Sequence, residues 1–385
     1  MTESRRSPVR SSRDESAARA PFVALVDRQR LLLCVGSGGV GKTTTAATLG
    51  LLAARRGRQA AVLTIDPARR LKDSLGIDAL GGEPHRVPLE DLGEAHGGSL
   101  DAMLLDAKHT FDALIRRYAI SEGAAERVLG NRIYHSISTA LAGSQEYMAM
   151  ERLHAIASEG RYDLLVVDTP PTHHALDFLE APERLTALLS SRAAAILQNP
   201  TLILSRESSR LAQAALAAVL RGLERFTGFE LLRDVGEFVA GIEGFSSGFQ
   251  SRAAEVAAFL RERDTAFLLV TTPEPARVGE TLAFHQELAR AGLPFGGFIV
   301  NRVLPADLVR EPPPDPAREE GRDAALARKL AAVHQHFGGL VEAERAEIAQ
   351  LERAAPGVPL IEIPLQIEEP TSLQSLARIA AALDG

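Results

Sequence analysis

Cysteine is nearly absent from this chain, since Cys34 is the only one among its 385 residues. One cysteine per chain excludes an intramolecular disulfide framework, a zinc site built from cysteines and an iron–sulfur cluster held within one chain. Cys34 lies inside an apolar run, so we expect it to be a packed core residue. A chain without disulfides also fits a reducing compartment.

Long apolar runs and an excess of basic charge are missing as well. No run reaches the roughly 18 apolar residues that cross a bilayer. Residues 1–20 carry five arginines where a secretory signal has an apolar core. The net charge of −7, with no strongly basic block, argues against a nucleic-acid partner. We therefore expect a soluble, cytoplasmic protein with a disordered tail over residues 1–20 and no integral membrane segment.

Lysine is also scarce. It occurs four times, at Lys42, Lys72, Lys108 and Lys329, so 39 of the 43 basic residues are arginine. Because the chain uses arginine by default, a lysine at a chemically suitable position is informative.

What the sequence does contain is a series of seven short apolar runs that alternate with helical patterns. Such alternation predicts an α/β fold with a doubly wound, mostly parallel sheet covered on both faces. In sheets of this kind the ligand lies beyond the carboxyl ends of the strands. The runs cover residues 31–35, 60–65, 100–105, 164–167, 267–270, 297–300 and 360–363.

Two long stretches interrupt this alternation. Residues 108–159 and 181–263 have a helical period and almost no strand signal. We expect them to form a helical subdomain inserted into a single domain that covers residues 21–385. The second stretch contains phenylalanines and glycines in alternation between residues 226 and 249. They indicate either a helical core with loops or a mobile apolar surface for a partner.

A phosphate-binding loop follows the first apolar run. Residues 36–43 match the pattern G-x-x-x-x-G-K-[ST] and precede an Ala- and Leu-rich helix, which is the context that the motif requires. Its backbone N–H groups turn towards phosphates, Lys42 reaches the β- and γ-phosphates, and Thr43 ligates Mg²⁺. We expect a P-loop NTPase whose phosphate site comprises Gly36, Ser37, Gly38, Gly39, Val40, Gly41, Lys42, Thr43 and Thr44.

Two aspartates at the ends of apolar runs complete the predicted site. Asp168 ends the run 164–167, the arrangement in which a buried strand delivers one acid to the Mg²⁺ shell. Asp66 follows the run 60–65 and suits a group that orients the attacking water. Each could instead be an aspartate that caps a helix.

These motifs together resemble a known family. The glycine loop, the sequence Asp-Pro-Ala at 66–68 and the sequence Asp-Thr-Pro-Pro-Thr-His-His at 168–174 are similar to the deviant Walker A ATPases. The branch that they resemble most is the family of arsenical-pump and tail-anchored-protein targeting ATPases (ArsA/GET-like). The resemblance extends from about residue 31 to the C-terminus.

The resemblance implies a role for individual residues. Asp66 matches the switch I aspartate that positions water, and Asp168 matches the switch II acid, which reaches Mg²⁺ through a water molecule. Asn301 matches an asparagine that reads adenine, and Pro364 and Leu365 lie where the family closes over the base. The γ-phosphate sensor corresponds to Pro171, Thr172 and His174. ATP and Mg²⁺ are the implied cofactors, and a dimer is the implied assembly.

The sequence departs from the family at several of these positions. A second lysine, just before the Gly-Gly pair, reaches the partner subunit's phosphates in the family, and Ser37 occupies that position here. A neutral hydroxyl cannot replace a cation against developing phosphate charge, so we expect binding to survive and turnover to fall. Arg69 stands in place of the usual histidine, and Pro170 and His173 in place of alanine and glycine.

Three functional hypotheses follow. The first is a Mg-ATP-dependent switch ATPase whose helical subdomain holds or releases a client, acting as a homodimer. The second is a regulatory subunit with negligible hydrolysis alone, completed in a heterodimer by a paralogue that carries the missing lysine. The third, a positioning ATPase of the ParA/MinD type, is weakened by the long helical insertions and by the absence of a basic C-terminal amphipathic helix.

The cysteine count gives a first prediction. We expect the purified protein to hold no stoichiometric zinc and to show little stimulation by arsenite, because a dimer offers only two thiols for soft ligation. Elemental analysis and ATPase assays with and without arsenite would measure both properties. One tightly held zinc ion per dimer would contradict the prediction.

Overall fold

The structure is a computed structural model that describes most of the chain. The described residues are 22–65, 70–77, 80–92, 97–119, 121–131, 134, 144–170, 245–315, 317–318 and 321–384. They divide into two compact units. The first contains the described residues of Met1–Leu104, Gly160–Ala175 and Arg261–Gly385, and the second those of Leu105–Glu159 and Leu176–Leu260. The predicted tail, residues 1–20, lies outside the described residues.

The described secondary structure alternates strands and helices along the first unit. The strands are β1 (Leu31–Val35), β2 (Gln59–Thr64), β3 (His85–Arg86), β4 (Ser99–Leu104), β5 (Leu164–Asp168), β6 (Thr265–Thr271), β7 (Phe295–Val303) and β8 (Leu360–Pro364). The helices are α1 (Lys42–Arg55), α2 (Arg70–Leu75), α3 (Ala107–Tyr118), α4 (Glu122–Leu129), α5 (Ser144–Ser158), α6 (Phe245–Phe259), α7 (Pro275–Ala291), α8 (Gly321–Ala354) and α9 (Leu373–Asp384). Two 3₁₀ turns cover Leu89–Leu92 and Ala306–Val309.

An eight-stranded sheet forms the core of the first unit. Its strand order is β3-β4-β2-β5-β1-β6-β7-β8, and every pairing is parallel except that of β3 with β4. Each predicted apolar run contributes one strand, because strands buried on both faces are continuously apolar. The predicted α/β fold class with a mostly parallel sheet is therefore confirmed.

Strand β3 is the one strand of this sheet that the apolar runs did not predict. It has only two residues, His85 and Arg86, neither of which is apolar. Arg86 lies opposite Asp101 of β4, whose buried carboxylate also accepts hydrogen bonds from Arg161 at 3.2 Å and Tyr162 at 2.8 Å. The edge strand is thus held by polar contacts that leave no apolar pattern in the sequence.

Helix α1 connects the central strand β1 to the rest of the core. Its Ala- and Leu-rich sequence favours helix, and it packs on β2, β5 and α9. Its C-terminal end is held by Arg56, which forms ion pairs with Asp27 at 2.6 Å and with Asp384 of α9 at 2.7 Å. The packing fixes the start of α1, at Lys42, against the carboxyl edge of the sheet.

The described part of the second unit consists of α3 to α6. Asp106 and Ser121 cap α3 and α4 by accepting hydrogen bonds from the backbone N–H groups of His109 and Ala124. Helix α3 packs against α4, α5 and α6. No helix among the residues that the structure describes is long and apolar enough to cross a membrane.

Part of the predicted organisation falls on residues outside the described ranges. The insertion boundaries 108–159 and 181–263 stay predictions, because residues 171–244 are among those not described. The same is true of the two interpretations of the phenylalanines between residues 226 and 249.

A buried ion pair joins α5 to α6. The Nε of Arg252 lies 2.7 Å from Oε1 of Glu151, and the two side chains are 14% and 4% exposed. Arg252 also contacts Glu255 at 2.9 Å, but that carboxylate is 53% exposed. Removing the cation would leave the Glu151 carboxylate buried without it, which is far more costly than losing an exposed pair.

This contrast gives a stability prediction. Arg252→Ala should lower the free energy of unfolding by about 3 kcal/mol, because a buried carboxylate loses its partner. Urea unfolding followed by circular dichroism would measure the change. Glu255→Ala is the matched control and should cost less than about 1 kcal/mol. Equal effects of the two substitutions would show that the buried pair does not hold the helices together.

Candidate functional site

The glycine loop between β1 and α1 has a conformation that two of its glycines make possible. Gly36 has φ of 154°, and an added Cβ would lie 2.1 Å from the carbonyl oxygen of Val270. Gly41 has φ of 96°, and an added Cβ would lie 2.1 Å from Nδ2 of Asn301. A side chain at either position would collide with a neighbouring strand, so only glycine allows the loop to pass so close.

Lys42 is enclosed by this loop. Its side chain is 6% exposed, and its Nζ donates hydrogen bonds to the carbonyl oxygens of Gly36 at 2.9 Å and Ser37 at 2.8 Å. The ammonium is therefore held inside the loop at the N-terminus of α1, where the helix dipole adds positive potential. An anion bound in the loop would lie beside this charge.

A buried carboxylate lies next to the start of α1. Asp168, 1% exposed at the carboxyl end of β5, accepts a hydrogen bond on Oδ2 from Thr43 Oγ1 at 2.7 Å. Thr64 Oγ1 at the end of β2 lies 3.1 Å from the same oxygen. One carboxylate and two hydroxyls are the oxygen ligands that Mg²⁺ accepts, so this donor set fits the predicted magnesium site.

Asn301 has a role that its sequence pattern did not show. Its Nδ2 donates a hydrogen bond to the carbonyl oxygen of Val40 at 2.9 Å, and its Oδ1 accepts one from the N–H of Arg302 at 2.9 Å. The amide thereby ties β7 to the glycine loop. Arg302 has φ of 61°, in the left-handed region that few residues other than glycine adopt. Adenine reading by Asn301 stays a prediction.

Ser37 belongs to a hydrogen-bonded group of three residues, and the sequence analysis missed the other two, Glu280 and Arg277. Its hydroxyl donates a hydrogen bond to Oε2 of Glu280 on α7, and Arg277 contacts the same oxygen at 3.2 Å. Glu280 is 243 residues away from Ser37, so no local pattern could have revealed the contact. The resemblance implies a lysine at position 37. The structure has instead the hydroxyl of Ser37, the carboxylate of Glu280 and the guanidinium of Arg277.

A cavity of about 820 Å³ opens in front of the loop. Its volume lies within the range of small-molecule and cofactor sites. Besides the glycine loop, its described walls include Asp73, Arg302 and the segment 365–371 that follows β8. In that segment the side chains of Leu365 and Ile367 are 45% and 105% exposed. The cavity thus has polar groups of the glycine loop at one end and apolar side chains at the other. This arrangement suits a ligand that has an anionic group at one end and a flat ring at the other.

Several predicted site residues are not assembled by the described structure. Asp66, Pro171, Thr172 and His174 lie outside the described residues. Pro364 is the last residue of β8, and within the described residues it does not line the cavity, whereas Leu365 does. The roles of all five therefore stay predictions.

Cysteine and histidine do not form a metal site within the described part of the chain. No group of three or more His, Cys, Asp or Glu side chains that could hold a metal occurs there. Burial, with a smaller contribution from Asp168, raises the pKa of the Cys34 thiol well above its usual range. The thiol is therefore protonated and a poor metal ligand, as expected of a core residue.

Comparison with known proteins adds an independent observation. The sequence profile described as anion-transporting ATPase matches residues 29–385. An uncharacterised protein of Streptomyces coelicolor is 31% identical over 279 residues, which cover 72% of this chain and 63% of that protein. An ATPase GET3 of Podospora anserina is 26% identical over 294 residues, or 76% and 78% of the two chains. A putative arsenical pump-driving ATPase of Chlorobaculum tepidum is 33% identical over 157 residues, or 41% and 36%.

The enclosed lysine gives a binding prediction. Lys42→Ala should weaken ATP binding at least about a hundredfold, because the loop loses the ammonium that it encloses. Isothermal titration calorimetry with Mg-ATP would measure the change. Lys108→Ala, which removes an exposed lysine of α3, is the control and should bind like the parent protein. Equal affinities of Lys42→Ala and the parent would place the nucleotide elsewhere.

Proposed function

The chain belongs to the anion-transporting ATPase family, and we propose that it is a switch ATPase that couples Mg-ATP binding and hydrolysis to the binding of a client or partner. One observation carries this proposal. The side chain of Thr43, in the first turn after the glycine loop, lies 2.7 Å from the buried Asp168 at the end of the neighbouring strand. The glycine loop that would bind phosphates and the aspartate that would hold their metal are therefore neighbours at one edge of the sheet.

In this proposal the loop binds the phosphates and its neighbours hold the metal. Backbone N–H groups of residues 36–44 and the Lys42 ammonium would contact the β- and γ-phosphates. Thr43 would ligate Mg²⁺ directly, and Asp168 would hold it through a water molecule. When bound, the metal offsets phosphate charge. Asp66 would orient the attacking water by accepting its hydrogen bond.

The other end of the cavity is the proposed base site. Leu365 and the fully exposed Ile367 would cover an adenine ring. The resemblance assigns its recognition to Asn301, whose amide also holds the loop through Val40. Pro364 would set the direction in which this segment leaves β8. The two functions of Asn301 are compatible because only one of its N–H bonds is used by Val40.

Covalent continuity supports coupling between the nucleotide and the helical unit. The chain leaves β5 at Asp168, passes through the predicted sensor residues Pro171, Thr172 and His174, and enters the second unit at Leu176. We propose that a change in the backbone after Asp168 reaches that unit along this stretch of chain. We propose that the second unit holds the client and that two chains associate around nucleotide. The cytoplasmic location expected from the sequence is part of the same proposal.

A second candidate function is favoured by Ser37. A chain that binds ATP but lacks the lysine of its family would hydrolyse slowly until a paralogue supplied that cation in a heterodimer. Steady-state ATPase activity of the purified chain, alone and with such a paralogue, together with its ATP affinity, distinguishes the two. Tight binding with turnover only in the mixture would support the regulatory subunit.

The contact between Ser37 and Glu280 sharpens the prediction for this position. Ser37→Lys should raise turnover of the homodimer, because the chain regains the cation of its family. A lysine there would first meet the carboxylate of Glu280 in its own chain. We therefore expect the double variant Ser37→Lys, Glu280→Gln to hydrolyse ATP faster than Ser37→Lys alone. Its turnover should exceed that of the parent by about tenfold or more. Phosphate release under saturating Mg-ATP is the measurement.

Two controls accompany this experiment. Ser37→Met matches much of the length of lysine without its charge and should leave turnover low. Asp66→Asn in the double variant should retain ATP binding and lose hydrolysis. A parent homodimer that hydrolyses roughly tens of ATP per second without any partner would show that another cation already takes the role of the missing lysine.

A further inference from the structure

Arg302 is a charged residue of the cavity wall that the proposed nucleotide site does not use. It follows Asn301 near the carboxyl end of β7, and its exposed side chain lines the cavity in front of the glycine loop. Among the residues that the structure describes, it is the only one other than glycine with a positive φ. Residues with a side chain rarely adopt this conformation, and where they do they cluster at binding sites.

A bulge in β7 accompanies this conformation. Asn301 lies opposite Ile363 of β8, and Val303 lies opposite Pro364. Strand β7 thus has one residue more than β8 between the two pairs, and that residue is Arg302. The Oδ1 of Asn301 holds the bulge by accepting a hydrogen bond from the N–H of Arg302 at 2.9 Å. Because bulges beside binding sites redirect a side chain, the backbone here directs the arginine out of the regular alternation of the strand.

The guanidinium of Arg302 is available to a ligand. Glu368 and Glu369 line the same cavity, yet within the described part of the chain no ion pair or hydrogen bond joins the Arg302 side chain to a carboxylate. Most other charged groups of the site have a partner, as Lys42 has in the carbonyl oxygens of the glycine loop. An arginine that lines a cavity and is not occupied by the protein can bind what enters that cavity.

The neighbours of Arg302 indicate which part of a nucleotide it would meet. The residue before it contacts the glycine loop through its amide. The residue after it, Val303, accepts a hydrogen bond on its carbonyl oxygen from the N–H of Leu365 at 2.8 Å. The backbone of Arg302 therefore lies between the loop and the segment 365–371, which forms the apolar end of the cavity. The phosphate end already has the Lys42 ammonium and the N–H groups of the loop.

We propose that the guanidinium of Arg302 stacks on a face of the base of the bound nucleotide and so contributes to affinity through the ring and not through the phosphates. A guanidinium is planar and weakly hydrated, and it packs favourably on flat aromatic faces. The contact complements Leu365 and Ile367, which offer apolar surface to the same ring. This inference rests on the proposed nucleotide site and adds a binding residue to it, and it does not depend on whether the chain hydrolyses ATP.

Arg302→Gly tests this contact in the full chain. Glycine adopts a φ of 61° without strain, so the variant should unfold at a temperature no lower than that of the parent. Displacement of a fluorescent ATP analogue measures the affinities for Mg-ATP and for Mg-tripolyphosphate, which has no base. The dissociation constant of ATP should rise about tenfold, and that of tripolyphosphate should stay within about twofold. Arg310→Ala removes an exposed arginine that does not line the described cavity, and this control should bind both ligands like the parent.

Arg302→Lys gives a second measurement that needs only ATP. Lysine keeps the charge but has no flat face, so this variant should also bind ATP several times more weakly than the parent. Parent-like ATP binding by Arg302→Lys, or equal weakening of both ligands in Arg302→Gly, would place the cation at the phosphates and overturn the proposal. Unchanged ATP affinity in Arg302→Gly would overturn it as well.

Lys42→Ala separates this proposal from the proposed function. It should weaken both ligands, because Lys42 acts on phosphates. A parent chain that does not bind ATP would refute the nucleotide site itself. Loss of ATP binding in Lys42→Ala without any loss in Arg302→Gly would refute only the role of Arg302.

Discussion

The parallel pairing of β1 with β5 is the constraint on which the candidate site depends. Its register places Cys34 opposite Asp168, so the acid reaches the edge of the sheet just where β1 passes into the glycine loop. Thr43 then lies within hydrogen-bond distance of that acid although the two are 125 residues apart. The glycine loop is a local motif, but the aspartate proposed to hold its metal is positioned by strand order. A shift of two residues in this register would move Asp168 about 7 Å along the strand and separate the two groups.

The charges of the cavity walls favour a nucleotide that arrives with its metal. Four acidic side chains and two basic ones line the described walls: Asp73, Asp168, Glu368 and Glu369 against Lys42 and Arg302. A bare triphosphate would add negative charge to a site that already has an excess of it. Attraction must therefore come from the backbone N–H groups of the loop, from the enclosed Lys42 and from a divalent cation beside Thr43.

The sequence predicted those features that depend on neighbours along the chain. The seven apolar runs became strands because burial on both faces demands continuous apolar residues, and the glycine loop was evident because its residues are consecutive. The apolar runs did not predict strand β3, because its two residues are polar and Arg86 contacts Asp101 of β4. The bond from Asn301 to Val40 and that from Ser37 to Glu280 join residues more than two hundred positions apart. Contacts of that range depend on sheet order, which a single sequence does not display.

Position 37, where the resemblance implies a lysine, is occupied by a serine with a carboxylate and a guanidinium nearby. A lysine there would balance the carboxylate of Glu280, and in this chain Arg277 provides that balance from one turn away on the same helix. The pair is partly exposed, so it contributes less than about 1 kcal/mol, and Arg277 can leave Glu280 at little cost. A guanidinium also serves well against phosphate oxygens. A guanidinium on α7 therefore lies beside the carboxylate that Ser37 contacts, close to the position where the resemblance implies a lysine.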